Sequence, residues 1–92
     1  MKLWLDDLRS PPDQSWHWCT STWGAKAVLE NYGGEVTAMS LDNDLGEGQE
    51  EGRRLVLWMA ENNRWPSCDI TIHSANPVAG EYMTGMIDRY KP

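Results

Sequence analysis

Three short apolar runs in this chain each end in residues that can do phosphate chemistry. Lys2-Leu3-Trp4-Leu5 runs into Asp6-Asp7, Thr37-Ala38-Met39-Ser40-Leu41 into Asp42-Asn43-Asp44, and Ile70-Thr71-Ile72 into His73-Ser74. If the runs are neighbouring parallel strands, their carboxyl ends meet at one sheet edge, where open α/β sheets bind ligands. Carboxylates crowded together raise one another's pKa unless a cation intervenes. Mg²⁺ answers that need with oxygen ligands in an octahedron, usually one or two protein carboxylates plus water and a phosphate oxygen. Asp6, Asp7, Asp42 and Asp44 supply such ligands, and Mn²⁺ accepts the same oxygen donors. With a metal in place, Asp42 could attack phosphorus or a water could be activated to do so. Ser74 offers a hydroxyl to a phosphate oxygen.

Taken singly, each segment has a plainer explanation. Asp6-Asp7 can be a turn, Asp42 to Gly46 an Asx-rich turn, Ser74 and Asn76 helix caps, and His73 a satisfied buried histidine. Their convergence on one edge favours a site. An EF-hand is excluded, because Gly46 falls on its fifth ligand position and Arg53 replaces the bidentate glutamate.

The elements that position these residues can be read from pattern. The strands are Lys2 to Leu5, Trp16 to Cys19, Val36 to Leu41 and Asp69 to Ile72. The segment Leu8 to Asp13 contains Pro11-Pro12 and reads as a loop. A first helix starts near Trp23, capped by Thr20, Ser21 or Thr22, with Ala25, Val28, Leu29 and Tyr32 on its apolar face. Gly33-Gly34 is expected to end it in a left-handed conformation. A second helix runs from about Glu50 to Asn62, with Gly52, Leu55, Val56 and Met59 on one stripe. A third is capped by Asn76, has Pro77 in its first turn and presents Ala79, Tyr82, Met83 and Met86. Short buried strands alternating with helices predict an α/β fold, a small open parallel sheet of four strands. Right-handed crossovers give the order 2-1-3-4, with helices expected on both faces. Asp6, Asp7 and Asp42 then meet at the switch point between the first and third strands.

The 92 residues suffice for one domain, 1–92, with one modest core. The six tryptophans, with no phenylalanine, are expected to supply much of its volume. A formal charge of −6 disfavours non-specific attachment to nucleic acid or an anionic membrane, though not a phosphate held through a cation. No stretch approaches the roughly 20 apolar residues of a membrane span, and no signal segment is recognisable. Two cysteines, Cys19 and Cys68, lack metal-ligand spacing and fit reduced thiols, so a cytoplasmic location is expected.

Leu5-Asp6-Asp7, the strand-end Asp42 and Ser74-Ala75 resemble the response-regulator receiver domain, a flavodoxin-like fold. More specific is the resemblance to its divergent branch, the cyclic-phosphate processing receiver domain. It is carried by Leu3-Trp4-Leu5-Asp6-Asp7-Leu8-Arg9, Pro11-Pro12, Trp16 and Trp18, Ser40-Leu41-Asp42 with Asp44-Leu45-Gly46, His73-Ser74-Ala75-Asn76-Pro77 and Met83. The resemblance implies Asp6 and Asp7 as metal ligands, Asp42 as the acceptor-like carboxylate and Ser74 on phosphate. It attaches importance to Asp44, Arg9, His73 and Asn76 without fixing their roles. Asn43 stands where the branch usually has histidine. A fifth strand and its phosphate-binding lysine are not found, so Arg9 or His73 must supply positive charge.

Three functions follow as expectations. One is Mg²⁺-dependent processing of a phosphate ester, a cyclic phosphate on an RNA end or nucleotide. Asp42, His73 and Arg9 would be its catalytic residues, and Ser74 and Asn76 would bind phosphate. A second is a non-catalytic receiver-like module that binds phosphate or accepts a phosphoryl group and acts on a protein partner. A third is a small acidic interaction protein using exposed tryptophans.

Overall fold

The computed structural model describes residues 1–92. Its elements are β1 (Lys2–Leu5), β2 (Trp16–Cys19), α1 (Thr22–Tyr32), β3 (Ala38–Leu41), α2 (Gly52–Asn62), β4 (Ile70–Ile72) and α3 (Pro77–Tyr90), with a 3-10 turn at Gly33–Glu35. The four strands form one parallel sheet in the order β2-β1-β3-β4, a receiver-like α/β fold. No helix is long and apolar enough to cross a membrane.

Strand periodicity sorts the sheet into two unlike faces. Leu5 pairs with Cys19 and Leu41, and Leu41 with Ile72; Trp4 pairs with Trp18 and Ser40, and Ser40 with Thr71. Side chains alternate along each strand, so Leu3, Leu5, Met39 and Leu41 share the first face and Trp4, Trp16 and Trp18 the second. The first face joins Ala25, Val28 and Leu29 of α1, Leu55, Val56 and Met59 of α2, and Ala79 and Met83 of α3 in a single core. Each fully buried leucine there contributes about 1.5–3 kcal/mol of transfer free energy. α2 lies between α1 and α3 and touches both.

Two expectations are corrected by this arrangement. Helices were expected on both faces, but all three pack on one. The crossovers β2-α1-β3 and β3-α2-β4 advance in the same direction across the sheet, so right-handedness puts their helices on the same side. The one connection running the other way, β1 to β2, is the Pro11-Pro12 loop, which forms no helix. Trp4, Trp16 and Trp18 therefore lie outside the core, against which, among the tryptophans, only Trp58 and Trp65 pack, half-buried. None is fully buried, and Trp18 and Trp23 are 43% and 82% exposed. Leucine and methionine occupy the interior instead.

Local signals held in part. Ser21 caps α1, its hydroxyl accepting from Gly24 N–H, and Asn76 caps α3 by accepting from Ala79 N–H. Gly33 does not turn left-handed: its backbone is right-handed helical and the chain passes into the 3-10 turn. Strand β3 begins at Ala38 rather than Val36, and β4 at Ile70 rather than Asp69. Tyr32 and Tyr82, placed on apolar faces by their spacing, are exposed at the helix margins. Both cysteines are free, and burial pushes the Cys19 thiol up to about 11.

Candidate functional site

The sheet ladder runs one residue beyond the strands at the carboxyl edge. Asp6 N–H donates to Cys19 carbonyl (3.1 Å), Asp42 N–H to Leu5 carbonyl (2.9 Å) and His73 N–H to Leu41 carbonyl (3.0 Å). These bonds place Asp6, Asp42 and His73 side by side on rigid backbone. A cavity of about 430 Å³ opens there, lined by Asp6, Asp7, Leu8, Arg9, Asp42, Asp44, Gly46 and Ala75. The four acids and Arg9 marked out by sequence thus surround one space.

Arg9 is the centre of the cavity's electrostatics. Its Nε donates to Asp6 Oδ2 (2.9 Å), and its Nη2 lies 3.2 Å from Asp42 Oδ1. The Asp6 carboxylate also accepts the backbone N–H groups of Leu8 and Arg9, both at 2.9 Å, which curls Asp6–Arg9 into a tight turn. Burial pushes the Asp6 carboxyl up. The N–H groups of Arg9 and Leu8, the contact with His73 and the Arg9 charge outweigh it and hold Asp6 below the ordinary carboxylate range. Asp42 accepts Asn43 N–H at Oδ1 (2.8 Å), so both contacts fall on one oxygen and Oδ2 is left for the cavity.

His73 stands behind Asp6 rather than in the cavity wall. Its Nε2 is 3.1 Å from Asp6 Oδ2, its Nδ1 is 2.7 Å from Ser40 Oγ, and its ring lies flat on Trp4 at 4.0 Å between centroids. Desolvation lowers its pKa, partly offset by Asp6. A neutral ring beside a carboxylate carries its proton on Nε2 and accepts the Ser40 hydroxyl at Nδ1. Ser74 and Asn76 line a neighbouring groove with α3, and Ala75 alone of that segment faces the acids. Ser74 Oγ accepts Asn76 N–H (3.0 Å).

Four residues, Asn43, Gly52, Trp18 and Trp4, hold the site together in ways the sequence did not assign. Asn43 is fully buried and turned away from the cavity. It accepts Arg53 N–H at Oδ1 and donates to Glu51, so it closes the start of α2, whose own cap residue Glu51 makes no such bond. Gly52 lies against the Asp42 backbone, and its N–H donates to Asn43 carbonyl (2.8 Å). Trp18 donates from Nε1 to Asp6 carbonyl (2.6 Å), while Trp4 Nε1 reaches Arg9 carbonyl (2.9 Å). Asn43 sits in an acidic tripeptide and Gly52 in an apolar stripe, so neither advertised its partner. Gly46, at φ +104° and with its α-carbon facing Asp7 across the cavity wall, adopts a conformation side chains rarely take.

Asp6, Asp7 and Asp42 each offer an oxygen, all within 4.8 Å of one another. Opposite ligands of Mg²⁺ stand about 4.2 Å apart, from metal–oxygen distances of 2.0–2.1 Å. The three carboxylate oxygens are a donor set that suits a hard divalent ion. The family model of the cyclic-phosphate processing receiver domain matches residues 1–89. No curated protein and no solved structure matches the chain.

Proposed function

The chain belongs to the cyclic-phosphate processing receiver domain family, and from that premise we propose that the Asp42 cavity opens a cyclic phosphate ester, on a nucleotide or an RNA end, with Mg²⁺ or Mn²⁺ held by Asp6, Asp7 and Asp42. The observation that carries this is the Arg9 guanidinium bonded to both Asp6 and Asp42. A guanidinium held among the acids of the cavity brings positive charge to meet a phosphate as it enters.

The bound ion would supply Lewis-acid polarisation of a phosphate oxygen and neutralise the clustered acids. The chain's own groups do the rest. Asp42 Oδ2 takes a proton from water as the water oxygen bonds to phosphorus. One ring P–O bond then breaks, and the departing ribose oxygen takes up the proton that Asp42 received, leaving a phosphomonoester and restoring the carboxylate. Arg9 moves from the carboxylates onto the phosphate oxygens. Ser74 and Asn76, expected on the phosphate, open instead on the neighbouring groove beside α3 and take no part in this step. His73 acts through Asp6, holding that carboxylate in place. Asp44 sits at the cavity rim, where its charge helps draw in the ion.

Hydrolysis of a nucleoside 2′,3′-cyclic phosphate in Mg²⁺ tests this, with Asp42→Asn and Asp6→Ala beside wild type. Equal rates in all three would falsify the proposal. A second reading rests on the free Asp42 Oδ2: the same oxygen could accept a phosphoryl group and signal to a protein partner. Incubation with a small phosphodonor and intact-mass measurement decides it, since absence of an adduct removes that reading.

A further inference from the structure

Beside the acidic cavity lies a second one of about 410 Å³, lined by Ser10, Pro11, Asp13, Gln14, Trp16 and Trp18. It is built against the sheet face that no helix covers. Its floor is aromatic: Trp16 and Trp18 share that face, and Trp16 meets Trp4 edge-on at 5.6 Å. Its rim is polar. Asp13 engages Ser15 through one carboxylate oxygen only, leaving the other free, and Gln14 adds an amide.

The two cavities are mechanically joined. Ser10 follows Arg9 directly, and the indole that floors the second cavity donates to the Asp6 carbonyl in the first. With their N–H groups committed to the Asp6–Arg9 turn, Trp4 and Trp18 are held in fixed orientations. Fixed aromatic rings bind flat heterocycles through their faces, at low ordering cost. The Asp13 carboxylate repels a phosphate from this cavity and accepts the amino hydrogens of a base edge.

We propose that this groove is a nucleobase subsite, in which the base of the phosphate ester stacks on Trp18 with its amino edge toward Asp13. The inference rests on the phosphate reading of the acidic cavity and gives the base of that nucleotide or RNA terminus its place on the protein.

Calorimetric titration in Mg²⁺ tests it with three probes: adenosine 2′,3′-cyclic phosphate, the base-free methyl riboside 2,3-cyclic phosphate, and inorganic phosphate. A stacked base strengthens binding roughly 5- to 150-fold. Wild type is expected to prefer the nucleotide over the base-free ester within that range. Trp18→Ala should erase the preference for the nucleotide, while Trp18→Phe, which loses the same hydrogen bond to the Asp6 carbonyl but keeps an aromatic face, should retain most of it. Equal affinity of wild type for the nucleotide and base-free esters overturns the subsite and leaves the phosphate site standing. A Trp18→Phe protein that loses the preference as fully as Trp18→Ala also overturns the subsite, because Trp18 is then only a prop for Asp6. If none of the three probes binds wild type, the phosphate reading falls and the subsite with it.

Discussion

Gly52 lies so close to Asp42 that a β-carbon built on it would stand 1.9 Å from the Asp42 carbonyl oxygen. The obstacle is backbone, in the residue that tips β3, and cannot rotate aside. Gly52→Ala must push α2 off the strand end or drag Asp42 out of the cavity. The expected cost is on the order of 3 kcal/mol in urea unfolding, with activity falling further than lost stability accounts for. A Gly52→Ala protein as stable and active as wild type would mean that α2 does not position Asp42.

Arg9 is bonded to Asp6 and Asp42, two of the three carboxylates proposed to hold the divalent ion, and would compete with it there. Arg9→Ala removes both a competitor and a positive charge, so Mg²⁺ affinity should rise about tenfold. Phosphate-ester turnover should drop by about 10²-fold with the loss of its charge stabilisation. Titration calorimetry and initial rates measure the two separately. Weaker Mg²⁺ binding in the variant would place Arg9 outside the ion's position.

Stability should depend on pH through His73. Its folded pKa is lowered by desolvation from an unfolded value of about 6.5, so the unfolded chain takes up the proton first. The contribution is complete above that value and is lost as pH falls toward and through the folded pKa. The slope is at most about 1.4 kcal/mol per pH unit. Urea unfolding between pH 7.5 and 5 should show it, and His73→Gln should flatten it. Asp6 adds a loss in the same direction in a lower window, below about 3.9, since its folded pKa is also depressed.

Asn43 holds the start of α2 through Arg53 N–H and Glu51. Asn43→Ala leaves that N–H without its partner in a closed space and should cost about 1–2 kcal/mol. Its effect on turnover should be smaller than that of Asp42→Asn. If thermal melting shows no change, the buried amide is dispensable and the capping role is wrong.

The chain's own pattern was enough for the strand order and for most of the cavity. Apolar runs of four or so residues, tipped by Asp6-Asp7 and Asp42, define parallel strands whose ladders continue one residue further, so the acids had to meet. Ser21 and Asn76 were legible because caps act within three residues. What sequence could not decide was every choice made through space. The turn of Asn43 toward the start of α2, the contact of Gly52 with Asp42, and the seat of His73 behind Asp6 depend on partners well beyond the neighbouring residues. The same holds for the tryptophans. Their bulk suggested a core, yet three helices on one sheet face left Trp4, Trp16 and Trp18 on the other. Periodicity fixes which residues share a face; only the direction of the crossovers determines which face is covered.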